Sequence, residues 1–487
     1  MALLQGAVLG LCCLLAGVVA CCLPLEEMLA RIAEFKNQVA AVLAGGLVLG
    51  VGALGGSVSR AAAFLIPVLL GLGFQLAPNF GVERLANPDF YGYPQFTQVY
   101  EPLVLILLVA GWLRQRGIDS TAGCTTTRGA MPFYLAFLAV SAVSVAVAMD
   151  KAAATIGVIH LLKFLVWYFA FGAFFRGGKA LETRFFEGLY VFMLLQAGIG
   201  VLQFLGLRTF EHLTDAGSAA GAVAFSRIGG TVGRSVLDMT LGVVLPALLS
   251  YAISRDHSLV RRVHVYGVGL GFVALLLTGT RSAMAGAALG SVWVFGRIAR
   301  TGTASQPRRR RTALLIVGAC AAVAVGMVGI GLLSEYIGRA TWNSRLEQAS
   351  VALAMAVENP LLGVGINGYL PQAEAYGASA SLLRFGRPVH SQYLLVLSES
   401  GILALAVYVA FLLCFFRAAR SVERAAAPES VWASVAIQGS ILSYAVISLF
   451  MVPFLVMQVA IVLAAFLAIL KVNGERTGMC SPQQGYL

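Results

Sequence analysis

The sequence predicts an all-α, polytopic membrane protein of about 14 transmembrane helices, with a helical periplasmic loop between spans 11 and 12. Three observations carry this. Of 487 residues, 59% are hydrophobic and 11% charged, which suits lipid rather than water as the solvent. Apolar stretches long enough to span a bilayer recur along the whole chain between short polar breaks. The basic residues gather in alternate breaks, the cytoplasmic bias of a multi-pass protein.

In chain order the spans are read near 7–24, 38–57, 61–77, 98–113, 131–149, 153–175, 185–206 and 236–254, then 264–280, 282–297, 312–333, 391–416, 431–450 and 452–470. The first lacks a basic n-region, so it reads as a retained span rather than a cleaved signal. The ninth and tenth are separated by one charge. From Val265 to Phe295, Arg281 is the only charged residue, and one helix of that length would be about 46 Å long against roughly 30 Å of hydrocarbon. The run must therefore break, and Gly279-Thr280 supplies the turn. Val452-Pro453 marks a similar hairpin. Two outward segments are long, 207–235 and 334–390. Within the second, Trp342, Leu346, Leu353 and Val357 recur at helical spacing, predicting an amphipathic helix over Thr341–Glu358 that Asn359-Pro360 stops and that lies along the outer interface. With no 20 to 50 residue repeat and no linker, residues 1–487 read as one membrane domain.

Orientation follows from charge. Arg114, Arg116 and Arg128, then Arg176, Lys179 and Arg184, then Arg255, Arg261 and Arg262, then Arg297, Arg300 and the "RRRR" at 308–311 occupy alternate loops. Arg417, Arg420 and Arg424 continue the series, with Lys471 and Arg476 near the end. This side is the cytoplasm, both termini lie on it, and Arg281 faces the periplasm of a cytoplasmic (inner) membrane. The excess of 34 Lys and Arg over 22 Asp and Glu is thereby a topology signal, not a nucleic-acid site. The 8 cysteines include no C-x-x-C pair, so neither a structural disulfide nor a zinc site is expected.

Three outward stretches could carry chemistry: "FSRIGGTVG" with Arg227, "LTGTRSAMAG" with Arg281, and "ENPLLGVGINGYL" leading to "RPVHSQYLLVLSESGI" with His390. Arginine offers a planar fork of donors that stays charged, which fits a diphosphate. Histidine can take or orient a proton near neutral pH. The flanking glycines, Gly363 and Gly365 among them, would let a ligand approach the backbone. "GVGING" matches G-x-G-x-x-G but follows a helix stop with no strand before it, so it is a loop, not a dinucleotide site. Arg234, Asp238 and Arg345 are candidates for the same cavity. Lys163, inside a span with His160 one turn earlier, is a candidate for either helix packing or substrate support. Glu399 reads as a structural hydrogen-bond acceptor within the bundle.

These stretches, over about 220–410, resemble the O-antigen ligase and O-antigen polymerase family, GT-C-like bacterial membrane glycosyltransferases that use polyprenyl-diphosphate-linked glycans. The arginine followed by Gly-Thr before a span is similar to Arg227, the "G-[ST]-R" hairpin to Arg281, and the "NPLLGVG" loop to Asn359–Gly365. The histidine opening the next span ahead of "E-x-G-I" is similar to His390 with Glu399–Ile402, and the arginine of the periplasmic helix to Arg345. Many members carry Asn-Pro-Asn where this chain has "GRSVLDMT", and His-Asn where it has His390-Ser391. The resemblance implies a metal-independent, cofactor-free, inverting transfer of a glycan from undecaprenyl diphosphate to an acceptor hydroxyl at the periplasmic face. Arg227 and Arg281 would bind the diphosphate and His390 would handle the acceptor proton. The absence of any D-x-D agrees with arginines in place of a cation. A ligase would deliver the glycan to a lipid acceptor and a polymerase to another lipid-linked unit. From another class, a secondary transporter remains the alternative, and it should carry ionisable residues near the midplane.

Overall fold

The computed structural model describes residues 58–71, 100–113, 130–205, 228, 231–232, 234–254, 258–300, 335–385, 388–427 and 430–477. The spans expected at 7–24, 38–57 and 312–333, and most of segment 207–235, lie outside them. Among the described residues the chain is helical with no strand. In order come α1 (Val58–Leu69), α2 (Tyr100–Leu113), α3 (Ala130–Val143), α4 (Lys151–Phe175), α5 (Lys179–Phe204) and α6 (Arg234–Ile253). They are followed by α7 (Ser258–Thr278), α8 (Arg281–Arg300), α9 (Glu335–Glu358), α10 (Gln392–Ala425), α11 (Val431–Ile447) and α12 (Met457–Arg476). Among the described residues, seven helices are long and apolar enough to cross a membrane, namely α4, α5, α6, α7, α8, α10 and α12, and α1, α3 and α11 are shorter apolar helices. This is a multi-pass membrane protein.

The centre of the bundle is α12, buried along its candidate span and packed against α4, α6 and α10. A helix apolar on every face has no solvent side, so it belongs inside. Beside it α6, α8 and α11 pack closely because their facing residues are small. A Cβ on Gly290 of α8 would strike the carbonyl of Gly439 on α11, and one on Gly286 would lie 2.7 Å from the Ser443 carbonyl. Gly286 and Gly290 thus form a G-x-x-x-G contact, the spacing that lets helix backbones touch where lipid supplies no hydrophobic drive. Ser443 adds an interhelical bond, its Oγ donating to the Gly242 carbonyl of α6 at 2.6 Å. The helix that begins at Arg281 is therefore rigidly seated.

Of the elements whose bounds differ from the sequence reading, three bear on the core and the site. α10 runs 34 residues, Gln392–Ala425, instead of ending near 416, and contains a non-helical residue at Gly401 (φ 81°, ψ −179°). Its charged end continues the helix past the apolar stretch, because hydrogen bonding, not hydropathy, sets a helix end. α12 begins at Met457, after a 3-10 turn over Pro453–Leu455, and carries Lys471 and Arg476 inside the helix rather than in a loop. The Lys471 ammonium lies 5.4 Å from the Tyr168 ring centroid, a cation–π contact that lets the stem stay buried. α9 starts at Glu335, ahead of the expected Thr341, and ends at the expected Asn359-Pro360.

The alternating helices divide charge between two ends. One end joins distant segments by ion pairs: Arg176 with Glu475 at 3.3 Å, Arg297 with Glu423 at 2.6 Å, and Arg476 with Glu182. At the other end lie the α7–α8 turn, the start of α6, the start of α10, and α9.

Candidate active site

The site is built on the turn between α7 and α8. Gly279 adopts φ 72° and reverses the chain, and Thr280 opens α8, its carbonyl accepting from the Met284 N–H at 3.2 Å. The Thr280 hydroxyl donates to Oδ2 of Asp238 on α6 at 2.5 Å, and Asp238 is only 1% exposed. The hairpin is thereby pinned to α6, and Arg281, in the first turn of α8, is exposed.

Arg345, half-buried on α9, stands in the same electrostatic neighbourhood. Burial lowers its pKa below the usual arginine value, and the charge of Arg281 lowers it further. The two positive charges therefore oppose one another, and a bound anion would lower that repulsion.

One turn along α9, Gln348 is 5% exposed, and its side-chain oxygen lies 2.7 Å from His390 Nδ1. His390 sits just before α10. The Ser391 N–H donates to the Val389 carbonyl at 2.8 Å, folding the backbone about His390, and Ser391 Oγ caps α10 by accepting from the Leu394 N–H at 3.4 Å. Serine is among the favoured N-cap residues, so Ser391 both ends the extended stretch and starts the helix.

The loop after α9 holds this arrangement together. Val364 N–H donates to the Ser398 carbonyl and Ile402 N–H to the Pro360 carbonyl, both at 2.9 Å, so the "NPLLGVG" and "E-S-G-I" stretches form one structure. Glu399 accepts from the Tyr369 N–H at 3.2 Å, and the Tyr369 hydroxyl donates to the Gln348 carbonyl at 2.9 Å. Burial first, then the nearby Glu347 and Glu399 charges, raise the Tyr369 phenol far above its ordinary pKa, so it remains a donor.

Of the residues singled out in the sequence, Arg281, Arg345, Asp238 and His390 meet at one end of the bundle. Arg227 lies outside the described residues, and Arg234 is the first residue of α6, its side chain likewise outside them. Gly363 and Gly365 are buried and packed on protein: a Cβ on the first would strike the Ser398 and Glu399 backbone, and on the second Ala148. Their small size thus has a reason within the fold. Lys163 is in the interior of α4, its ammonium 3.0 Å from a carboxylate oxygen of Glu101 on α2, so its charge is half of an ion pair between two helices. Thr280, Gln348 and Tyr369 were missed. Gln348 follows Arg345 by three residues, and that helical spacing was the one signal that could have placed it on the same face.

A multi-pass helical membrane protein with a pair of arginines and a histidine at one end defines the class. Residues 266–409 match the Wzy_C family model, described as O-antigen ligase, a segment that includes Arg281, Arg345 and His390. That match supports assignment to the O-antigen ligase and polymerase family, the one its motifs resemble. A comparison with curated proteins finds no match.

Proposed function

We propose that this protein transfers a glycan from undecaprenyl diphosphate to an acceptor hydroxyl at the periplasmic face of the inner membrane, as an O-antigen ligase-type glycosyltransferase. The observation that carries the reading is the nearness of Arg281 to Arg345, with His390 held one turn of α9 away, all within the family match. In the reaction the acceptor oxygen attacks the anomeric carbon and the bond from that carbon to the diphosphate oxygen breaks. The diphosphate leaves with the bonding pair. Arg281 and Arg345, with Arg227, stabilise the charge that develops there, an electrostatic assistance that needs no metal. His390 takes the proton of the acceptor hydroxyl. Undecaprenyl-linked glycan, a lipid or glycan acceptor and the surrounding lipids are the partners.

The polymerase alternative uses the same chemistry with a lipid-linked acceptor. The transporter alternative is weakened by the Lys163–Glu101 pair, since a charge already bonded in the bundle offers less to a passing solute. The test compares surface and lipid-linked glycans in a deletion strain complemented with wild type, Arg281→Ala or His390→Ala. Long polymer accumulating on the carrier in the variants is the expected result. Single repeat units would instead identify a polymerase, and unchanged glycans in the deletion strain would overturn both.

A further inference from the structure

We infer that Gln348 is a positioning residue for His390, holding its ring in the tautomer with the proton on Nδ1 so that Nε2 faces the acceptor hydroxyl as a base. This rests on the reading of His390 as the group that takes the acceptor proton. Gln348 presents its side-chain oxygen to His390 Nδ1 at 2.7 Å. With the amide oxygen toward the ring, Nδ1 is the donor in this contact, and the neutral ring in that tautomer has its lone pair at Nε2. Gln348 is itself held in place, because its side chain is buried and its backbone carbonyl receives the Tyr369 hydroxyl while the Tyr369 N–H is bound to Glu399. A path of contacts thus runs from the "E-S-G-I" break of α10 to the imidazole.

The choice of an amide has a reason. A carboxylate at this position would orient the ring equally well, but it would favour the imidazolium, which is not a base. It would also put a negative charge one helical turn from Arg345, where a diphosphate is to bind. Among the described residues, the charged and titratable groups on the surrounding elements are Arg345 and Glu347 of α9, Arg281 of α8, Asp238 of α6, Tyr369 after α9, and Tyr393 and Glu399 of α10. Of these, Glu347 is engaged with the Ser379 N–H at 2.7 Å and Tyr393 donates to the Ala445 carbonyl at 3.0 Å.

The experiment uses the full chain in lipid nanodiscs, as wild type, Gln348→Glu and Gln348→Leu, with melting temperatures to establish folding. Two readouts are taken against pH: modification of His390 by diethylpyrocarbonate, quantified by mass spectrometry, and glycan transfer. Gln348→Glu is expected to move the midpoint of His390 modification upward by about 1 pH unit or more, with the acid limb of transfer following it and activity recovered above the new midpoint. Gln348→Leu is expected to lose about 10- to 100-fold in kcat at every pH, with little change in KM for the donor. A folded Leu variant with wild-type kcat, or a Glu variant whose His390 midpoint stays put, would overturn the inference even if the wild type transfers glycan. A shifted midpoint in a protein that transfers no glycan would uphold the contact and remove the transferase reading instead.

Discussion

Arg345 is the residue whose surroundings make the strongest demand for a ligand. Its charged form is destabilised by burial and by Arg281, and in neutral solution it stays protonated, so the repulsion is present in the unliganded protein. The sign follows directly: a depressed pKa on a base means that its charge costs stability below that pKa, and an anion pairing with it recovers that stability. Arg345→Gln is therefore expected to melt no lower than wild type without ligand, and to lose most of the stabilisation by pyrophosphate, which in wild type would be about 2.7 kcal/mol at a hundredfold excess over Kd. Thermal shifts with and without pyrophosphate check this, and a variant that melts lower yet responds fully to pyrophosphate would rule out the paired-arginine site. Arg281 and His390 were legible in the sequence because a charge amid apolar residues and a histidine opening a span stand out. Gln348 was not, since an uncharged amide in an amphipathic helix carries no signature until its partner is known. Glu101 went unread as the partner of Lys163 because the pair joins α2 to α4 across segments with no common motif.

The element that sets the site is α10, and it does so through a break. Gly401 combines φ 81° with ψ −179°, a backbone region open essentially to glycine alone, and a Cβ there would strike the Leu361 carbonyl. The break lets the loop after α9 dock onto the helix that follows His390. Gly401→Ala should cost about 1–3 kcal/mol of stability and reduce glycan transfer, although no arginine or histidine is altered. Melting and transfer assays on the purified variant would decide, and wild-type values for both would mean that the loop does not depend on the break. The hairpin at Gly279-Thr280 could be read in advance because no single helix of that length fits a bilayer. The extension of α10 could not, because Arg417, Arg420 and Arg424 mark where lipid ends, whereas the helix continues as long as its backbone bonds do. On α9 the apolar residues Leu346 and Val357 are 51% and 78% exposed while Gln348 and Met355 face the bundle. The outward stripe fits the helix lying on an interface, and the buried face, otherwise apolar with Val351, Ala352, Met355 and Ala356, carries the working amide as its one polar residue among those described.

At the scale of the whole molecule, function depends on which side of the membrane the arginine end occupies. The ion pairs Arg176–Glu475 and Arg297–Glu423 and the exposed Arg300 and Arg424 lie at the end opposite Arg281. The alternation that puts them there was visible in the basic loops, whereas their acidic partners, far away in sequence, were not. Positively charged segments resist translocation, so this end is expected in the cytoplasm and α9 outside. Single cysteines in a background without the native ones test it: Ser344→Cys on α9 and Ser381→Cys in the short helix Ala380–Phe385 against Arg300→Cys and Arg424→Cys, all at exposed positions. In cells with a permeabilised outer membrane, an impermeant maleimide should label the first two and reach the others only after lysis. The reverse pattern would put the paired arginines in the cytoplasm and remove the periplasmic transfer reaction, whatever the glycan phenotype of the deletion. Labelling at the first pair alone fixes the side from which donor and acceptor must approach, and hence the side on which α9 meets the lipid surface carrying them.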